Sequence, residues 1–517
     1  MLVSCCSEMA KKKAGKKKPT EKAENQSKPE EETDQVEEME VESAADVSEE
    51  QSEETSGGPD RILRCRESPE EFLSALRAHQ DKEQEFDLEE SLQSLSSEDM
   101  ASLWSALYDH LRLDQRTEVV SGVAAVLKMT LSLATLQDDS CPQGLLSSVL
   151  LLHDLLPSLW SQHKLANNIS QCLETWFLNN LPDKDSVILN SLMFLLRKSL
   201  GEQAVKNDVK RVWALHSTLL EQTLSHSGSL TRLVLATAGS SLYLSTSEGV
   251  RWLTFLLSIS PDLVLKLHHA ARSQLGGLNK AGCLALGEVY HKAWLVSGGE
   301  FRTRLETDCL QDLMYMGVVT KRQVAANFLK VLSYLHAERR SQVTQNMLAR
   351  LYSPILWRYL KVANHTVRLN ATVMFLEAYP LEDLEQTREE RDTSREKQHS
   401  FIVLLMRDVD PRIRVEAIKG VCRILALYWQ LVSSDFINKV ISILFKETVV
   451  DSSSPKVRMA TLIGISNILS NPPSHVYLKS ILGKLSSCIH DTNDGVRAAF
   501  LDLLLVVKGN NCVFIDL

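Results

Sequence analysis

From about residue 68 to residue 508, apolar positions recur at the spacing of a helix that buries one face. Trp104, Leu107, Tyr108 and Leu111 fall at i, i+3, i+4 and i+7. Val457, Ala460, Thr461, Gly464, Ile465, Ile468 and Leu469 continue the same stripe over three turns, as do Val496, Ala499, Phe500, Leu503, Leu504 and Val507. Ser68-Pro69-Glu-Glu reads as a helix start, a capping residue followed by proline at the first position. No alternating run of strand length interrupts this pattern, so the chain is expected to be all-α. A Leu-rich composition with 44% hydrophobic and only 6% aromatic residues fits helices better than twisted sheets.

The C-terminal half adds a second, longer period. NHTVRLNA (364–371), DPRIRVEA (410–417), SPKVRMAT (454–461) and NDGVRAAF (493–500) each place a polar turn before a hydrophobic residue and an arginine that open a helix. Arg368, Arg414, Arg458 and Arg497 are 46, 44 and 39 residues apart, which allows two helices per unit. Such units bury their apolar faces on one another, so a stacked array follows. A planar guanidinium beside Asp or Asn suits paired bonding, so the four arginines are expected to form a structural ladder between neighbouring units rather than contact a ligand.

Residues 1–60 break with all of this. They hold no Phe, Trp or Tyr, and 8 Lys/Arg against 17 Asp/Glu, so the net charge of −9 resides there. The other 49 basic and 49 acidic residues cancel. A segment with so little to bury is expected to be a disordered tail, Lys-rich and then acidic. Its block KKKAGKKK (Lys11, Lys12, Lys13, Lys16, Lys17 and Lys18) reads first as a nuclear import signal; a DNA-backbone arm and a plain solvated run are the alternatives. The expected organisation is therefore a tail at 1–60, a helical array at 68–508 and a short tail at 509–517. The ten cysteines show no C-x-x-C spacing, which suits a reducing compartment. The apolar run at 145–156 is broken by His153 and Asp154 and is too short for a bilayer, so no membrane association is expected.

A turn followed by Val-Arg at the start of a second helix resembles a HEAT repeat, and Pro354 falls where such repeats tolerate a kink in the first helix. ETDCLQDLMYMG (306–317), LYSPILWRYLKVANHTVRLNATVMFLEAYP (351–380), GVCRILALYW (420–429) and VRAAFLDLLLVVK (496–508) resemble the G-type HEAT-repeat subunits of vertebrate condensin II. The resemblance runs from about residue 70 to 508. It implies a HEAT/armadillo-like α-solenoid that grips the kleisin subunit and, through it, joins the SMC ATPase pair and the D-type HEAT subunit. It also implies surface for double-stranded DNA in chromatin, and a place in the nucleus and on mitotic chromosomes. Two features depart from the family: the extension at 1–60, and an end at GNNCVFIDL where its members continue. The helix at 496–507 carries Leu501, Leu505 and Val506 outside its main stripe, so the natural array is expected to run on and this chain to be C-terminally truncated.

Chemistry of the catalytic kind is not expected. The chain has no G-x-x-x-x-G-K-[ST], no H-E-x-x-H and no G-x-S-x-G, and no cofactor or metal is implied. His268-His269 places adjacent rings in different directions on a helix, a poor metal pair. The glycines of GLNKAGCLALGE (277–288) suggest close helix packing. Candidate DNA contacts are Lys206, Lys210, Arg211, Lys361, Arg407 and Arg412, at unit edges outside the apolar stripes. Trp176, Trp213, Trp252, Trp294, Trp357 and Trp429 are expected to fill space between helices rather than anchor a peptide. The charged stretch 381–400 is expected to be a loop and a helix start. Another nuclear HEAT-repeat scaffold, such as a transport receptor or adaptor, is the alternative reading.

Overall fold

Each amphipathic stripe becomes a helix whose apolar face lies on its neighbours. The computed structural model describes residues 92–133, 141–225, 228–259 and 261–509, with isolated positions at 68, 70, 71 and 73. All of these fall within one compact unit, Gly57–Leu517. The expectations for residues 1–60, and for the short tail beyond Gly509, lie outside the described residues.

The α-helices of eight or more residues begin with α1 (Ser97–Leu113), α2 (Thr117–Ser132), α3 (Gln143–Leu155), α4 (His163–Leu178), α5 (Leu189–Leu200) and α6 (Lys206–Ala214). Next come α7 (His216–Ser225), α8 (Ser229–Ala236), α9 (Ser247–Leu256), α10 (Pro261–Gln274), α11 (Lys280–Val296), α12 (Gln311–Val319) and α13 (Arg322–Ala337). The series closes with α14 (Gln342–Tyr359), α15 (His365–Ala378), α16 (Arg388–Met406), α17 (Pro411–Tyr428), α18 (Ser434–Ile443), α19 (Pro455–Ile468) and α20 (Asp494–Gly509). No strand occurs among the described residues.

Antiparallel pairs stack in sequence: α14 on α15, α16 on α17, and the 3-10 segment Leu482–His490 on α20. The second helices form a continuous row in which α11, α13, α15, α17, α19 and α20 each pack on the next. This is the α-solenoid expected from the two periods. Pro354 lies inside α14, the first helix of its pair.

Local signals explain where the second helices start. Asn364 caps α15 by accepting from Thr366 N at 3.0 Å and Val367 N at 3.3 Å. Asp410 accepts from Arg412 N at 2.9 Å, with Pro411 at the first position of α17. The charged stretch divides as expected: Thr387 and Glu390 form a reciprocal cap and α16 starts at Arg388.

Close approach is built in where the glycines predicted it. A Cβ on Gly287 of α11 would lie 2.3 Å from the Val331 carbonyl oxygen of α13, so only glycine lets these two backbones meet. Trp104, Trp176, Trp252 and Trp294 are at most 1% exposed and Trp429 is buried. Trp213 and Trp357 are half-buried and stack on His216 and Phe401. Cys172, Cys283, Cys309 and Cys422 are core residues, and burial raises the Cys422 thiol to about 12.

Candidate interaction surface

The four repeat arginines sit one turn inside their helices, with the guanidinium folded back over the preceding turn. Arg368 forks Asp408 of the next unit, Nε to Oδ2 at 2.6 Å and Nη2 to Oδ1 at 2.9 Å. Arg458 does the same to Asp491, at 2.7 and 2.8 Å. Arg414 reaches the next turn through Nη2 alone, to Ser453 Oγ at 2.5 Å and Asp451 at 3.0 Å, and its Nε has no partner. In every case Nη1 donates to a carbonyl of the arginine's own turn: Val362 at 2.6 Å, and Asp408, Asp451 and Asp491 at 2.7 Å each. The aspartates work twice as well. Asp408, Asp451 and Asp491 accept from the backbone N–H two residues on, at 2.8, 2.9 and 2.8 Å, which shapes the turn before the helix. The Arg458 hydrogen bond holds the Asp491 carboxyl below the usual carboxylate range. Arg497 keeps the carbonyl bond but turns to Asp494 on its own helix.

The first half holds its helices together differently. Glu174 on α4 is gripped by Arg211 on α6, Nε to Oε2 at 2.7 Å and Nη2 to Oε1 at 2.6 Å, with side chains only 7% and 12% exposed. Ser170 donates to the same carboxylate at 2.7 Å. Lys198 of α5 bonds Asp208 at 2.9 Å and Asn167 at 2.6 Å. Three helices are thus tied by one buried polar knot. A second knot joins α10, α11 and α12: His268 lies between Tyr290 Oη at 2.7 Å and Asp312 at 2.9 Å, and Arg272 also donates to Asp312. Both ring nitrogens of His268 are used, so the ring has nothing left for a metal. In a third, Glu306 takes Trp294 Nε1 at 2.8 Å and Arg350 at 2.7 and 2.9 Å.

The candidate DNA contacts separate on this geometry. Lys206 and Lys210 are exposed on one side of α6. Arg211 faces the other way into the Glu174 knot, where its N–H groups are taken by carboxylate, hydroxyl and amide oxygens. A guanidinium so engaged presents no fork to a phosphate. Lys361, Arg407 and Arg412 share the turn edge of the C-terminal units, since Arg368 ties the turn at 361–364 to that at 407–410. Arg407 forks Glu447 at 2.7 and 2.5 Å, Arg412 pairs with Asp410 at 2.7 Å, and the Lys361 ammonium lies 5.1 Å from the Phe401 ring centre. The six lysines of the import candidate lie outside the described residues.

One group with metal-ligand chemistry occurs among the described residues: Glu70, His110 and Asp114. Arg116 already clamps Asp114 through Nε at 2.8 Å and Nη2 at 2.5 Å and holds its carboxyl down to about 2. A cation there would have to displace the guanidinium. No helix among the described residues is long and apolar enough to cross a membrane.

Stacked helix pairs, a repeated Arg–Asp clasp and no assembled catalytic group among the described residues define an α-helical repeat scaffold. Comparison with known proteins adds sequence similarity. The family described as "Condensin II non structural maintenance of chromosomes subunit" matches residues 236–383. The chain is 30% identical over 476 residues to condensin-2 complex subunit G2 of Xenopus laevis, covering 86% of this chain and 41% of that protein. The Mus musculus protein of the same name is 31% identical over 481 residues, covering 86% and 42%. The chain is thus similar to the condensin II G-type subunits along most of its length, as the quoted segments implied, and it spans about two fifths of the length of the curated relatives it matches. Among solved structures, importin beta aligns over 87% of this chain and 61% of its own, with a TM-score of 0.37 and 12% identity.

Proposed function

We propose that this chain acts as a non-catalytic regulatory subunit of a condensin II complex. In this reading it binds the kleisin, is joined through it to the SMC ATPase pair and the D-type HEAT subunit, and helps to clamp duplex DNA. Its place is the nucleus and the mitotic chromosome. The observation that carries this is the similarity to G2 subunits along 86% of the chain. A solenoid suits the role because it offers a long continuous surface to other chains. ATP chemistry then belongs to the partners. Affinity purification of the tagged full chain from mitotic extract tests the reading: the other condensin II subunits should co-purify, and their absence, with transport factors in their place, would favour the adaptor alternative.

DNA contact is expected to be phosphate-directed, because the sequence holds no groove-reading motif. Lys206 and Lys210 carry this proposal better than Arg211, whose charge is spent internally. Changing both lysines to Glu should weaken binding to duplex DNA and lower the salt dependence by about two counterions, with the helical signal unchanged. Unaltered affinity would remove α6 from the DNA surface.

A further inference from the structure

A cleft of about 290 Å³ opens where the C-terminal ends of α13, α15 and α17 converge. That is at the lower edge of the roughly 300–1,000 Å³ range that holds small ligands or single side chains with their backbone. Its walls carry unusual polar groups for a helix junction. His336 is 6% exposed, and its Nδ1 has no hydrogen-bond partner. Its Nε2 lies 2.7 Å from Tyr352 Oη. Burial keeps the Tyr352 phenol protonated, so the hydroxyl and Nε2 share one hydrogen bond and Nδ1 is left as a buried atom without a partner behind the cleft wall. Burial, with Arg339 and Arg423 nearby, also keeps the ring neutral down to about pH 3.

The two guanidiniums are pinned by one nitrogen each. Arg423 Nη2 donates to Leu376 O at 2.6 Å, and Arg339 Nη1 donates to Ala378 O at 3.2 Å and Tyr379 O at 2.5 Å. Both therefore lie over the carbonyl end of α15, and their remaining N–H groups have no protein acceptor among the described residues. Glu377, half-buried on the same wall, makes no hydrogen bond or ion pair among the described residues, and burial raises its carboxyl above the usual value. Leu427 stands at the rim, 67% exposed.

We propose that this cleft binds an extended segment of a partner protein that presents an aspartate or glutamate side chain next to an apolar residue. Two guanidiniums against one carboxyl give the cleft the sign for a carboxylate. The spare N–H groups of Arg339 and Arg423 are the donors that such an anion takes. Glu377 suits an N–H of the segment's backbone, and Leu427 covers the apolar neighbour. A nucleic-acid phosphate fits less well, because Glu377 repels it and gains nothing from a ligand without donors. The inference stands apart from the condensin reading, since it rests on the cleft alone.

The test uses the full 517-residue chain and a pool of labelled, end-blocked hexapeptides with a fixed Leu-Glu or Leu-Asp pair, read by retention and then by anisotropy. Wild-type protein should retain members of the pool. Replacing the acidic residue of a retained peptide by its amide should weaken binding roughly tenfold or more, and Arg423→Ala should do the same. Combining the two changes should cost little beyond either alone. Arg423 is exposed, so the variant should keep the wild-type helical signal, and Leu427→Ser gives a second, milder variant that should also weaken retention. No retained peptide, or retention indifferent to Arg423, overturns the proposal. So does tighter, Arg423-dependent binding of a phosphoserine peptide or of duplex DNA, which would make this a phosphate site.

Discussion

The C-terminal units and the region around α4–α6 solve the same problem with the same residue types and differ in regularity. Both must join neighbouring helix pairs across turns whose carbonyls and amides need partners. The C-terminal units repeat one clasp, in which an arginine bridges to the aspartate of the next turn while bonding a carbonyl of its own. Around α4–α6 the joint is a single buried knot, assembled from Glu174, Arg211, Lys198, Asp208 and Ser170, with no copy elsewhere among the described residues. Both joints are largely closed to water, with clasp side chains 11–15% exposed and Arg211 and Glu174 12% and 7%; the clasp ties one turn to the next, whereas the knot ties three helices at one carboxylate. Damage to the first should be local and graded, whereas damage to the second should unfold a whole segment.

The largest effect is expected inside the knot. Glu174→Ala would strip the buried Arg211 guanidinium of its two-pronged partner and leave it only the 3.5 Å contact with Asp208 as counter-charge, which costs about 3–5 kcal/mol. Urea unfolding followed by circular dichroism should show either a large loss in midpoint or an early separate transition for the α4–α6 segment. A cost under about 1 kcal/mol, typical of exposed pairs, would mean that water reaches the knot and the contrast with the clasp is false.

Single rungs of the ladder come next. Arg368→Ala and Arg458→Ala each break a two-pronged bond between side chains 11–15% exposed, at about 1–3 kcal/mol. Arg414→Ala should fall at the low end of that range, since this rung has no fork to the carboxylate: one nitrogen serves both Asp451 and Ser453, and Nε has no partner. Equal losses at all three would show that the fork to aspartate contributes little beyond the carbonyl bond.

What could be read from the sequence follows the same division. The arginines were visible because they recur with the unit, and recurrence separates a structural role from chance. Their partners were equally visible, though not singled out: an aspartate stands six residues before Arg414 and Arg497 and seven before Arg458, at 408, 491 and 451. The knot had no such signature. Glu174 and Arg211 are 37 residues apart on helices whose relative placement no local pattern fixes. In KNDVKR (206–211), Arg211 looked like part of a basic surface. The phase of α6 sets only Lys210 opposite the buried Asp208, Val209 and Val212; Arg211 and Lys206 flank that stripe on either side, and it is Glu174 on α4 that draws Arg211 inward. The cleft at His336 was beyond sequence reading, because it depends on how three helix ends converge.

Mild acid separates these electrostatic joints from the buried histidines. Burial lowers His336 to about 3 and His399 to about 4, against 6.5 in an unfolded chain. The unfolded state therefore takes up protons below pH 6.5 while the folded state does not, and stability falls as pH drops. From pH 6.5 to 5.5 the loss is about 1 kcal/mol for each histidine. The ladder behaves in the opposite range: Asp491 is held below 3.8, so its contribution is present above that pH and is lost only as pH falls further. Melting temperatures of wild type and His399→Gln between pH 7 and 5 measure the first effect. A slope unchanged by the substitution would assign the acid sensitivity elsewhere.

The smallest expected effect is the most informative about the clasp itself. Arg497 keeps half of what the other three do: Nη1 donates to Asp491 O at 2.7 Å, just as Arg458 donates to Asp451 O. It lacks the other half, because its second contact is Asp494, one turn away on the same helix, with side chains 40% and 91% exposed. Asp491 is already forked by Arg458, so removing Arg497 strands no buried carboxylate, and water can reach the freed carbonyl. Arg497→Ala should therefore change stability by no more than about 0.5 kcal/mol, the scale of an exposed helical pair. Set beside Arg458→Ala in one unfolding series, it isolates the bridging bond from the bond to the arginine's own turn. A small loss at 497 and a large one at 458 places the stabilisation in the bridge between units. A loss at 497 as large as at 458 would place it in the turn, and the aspartates would then serve their own backbone N–H groups more than the neighbouring arginine.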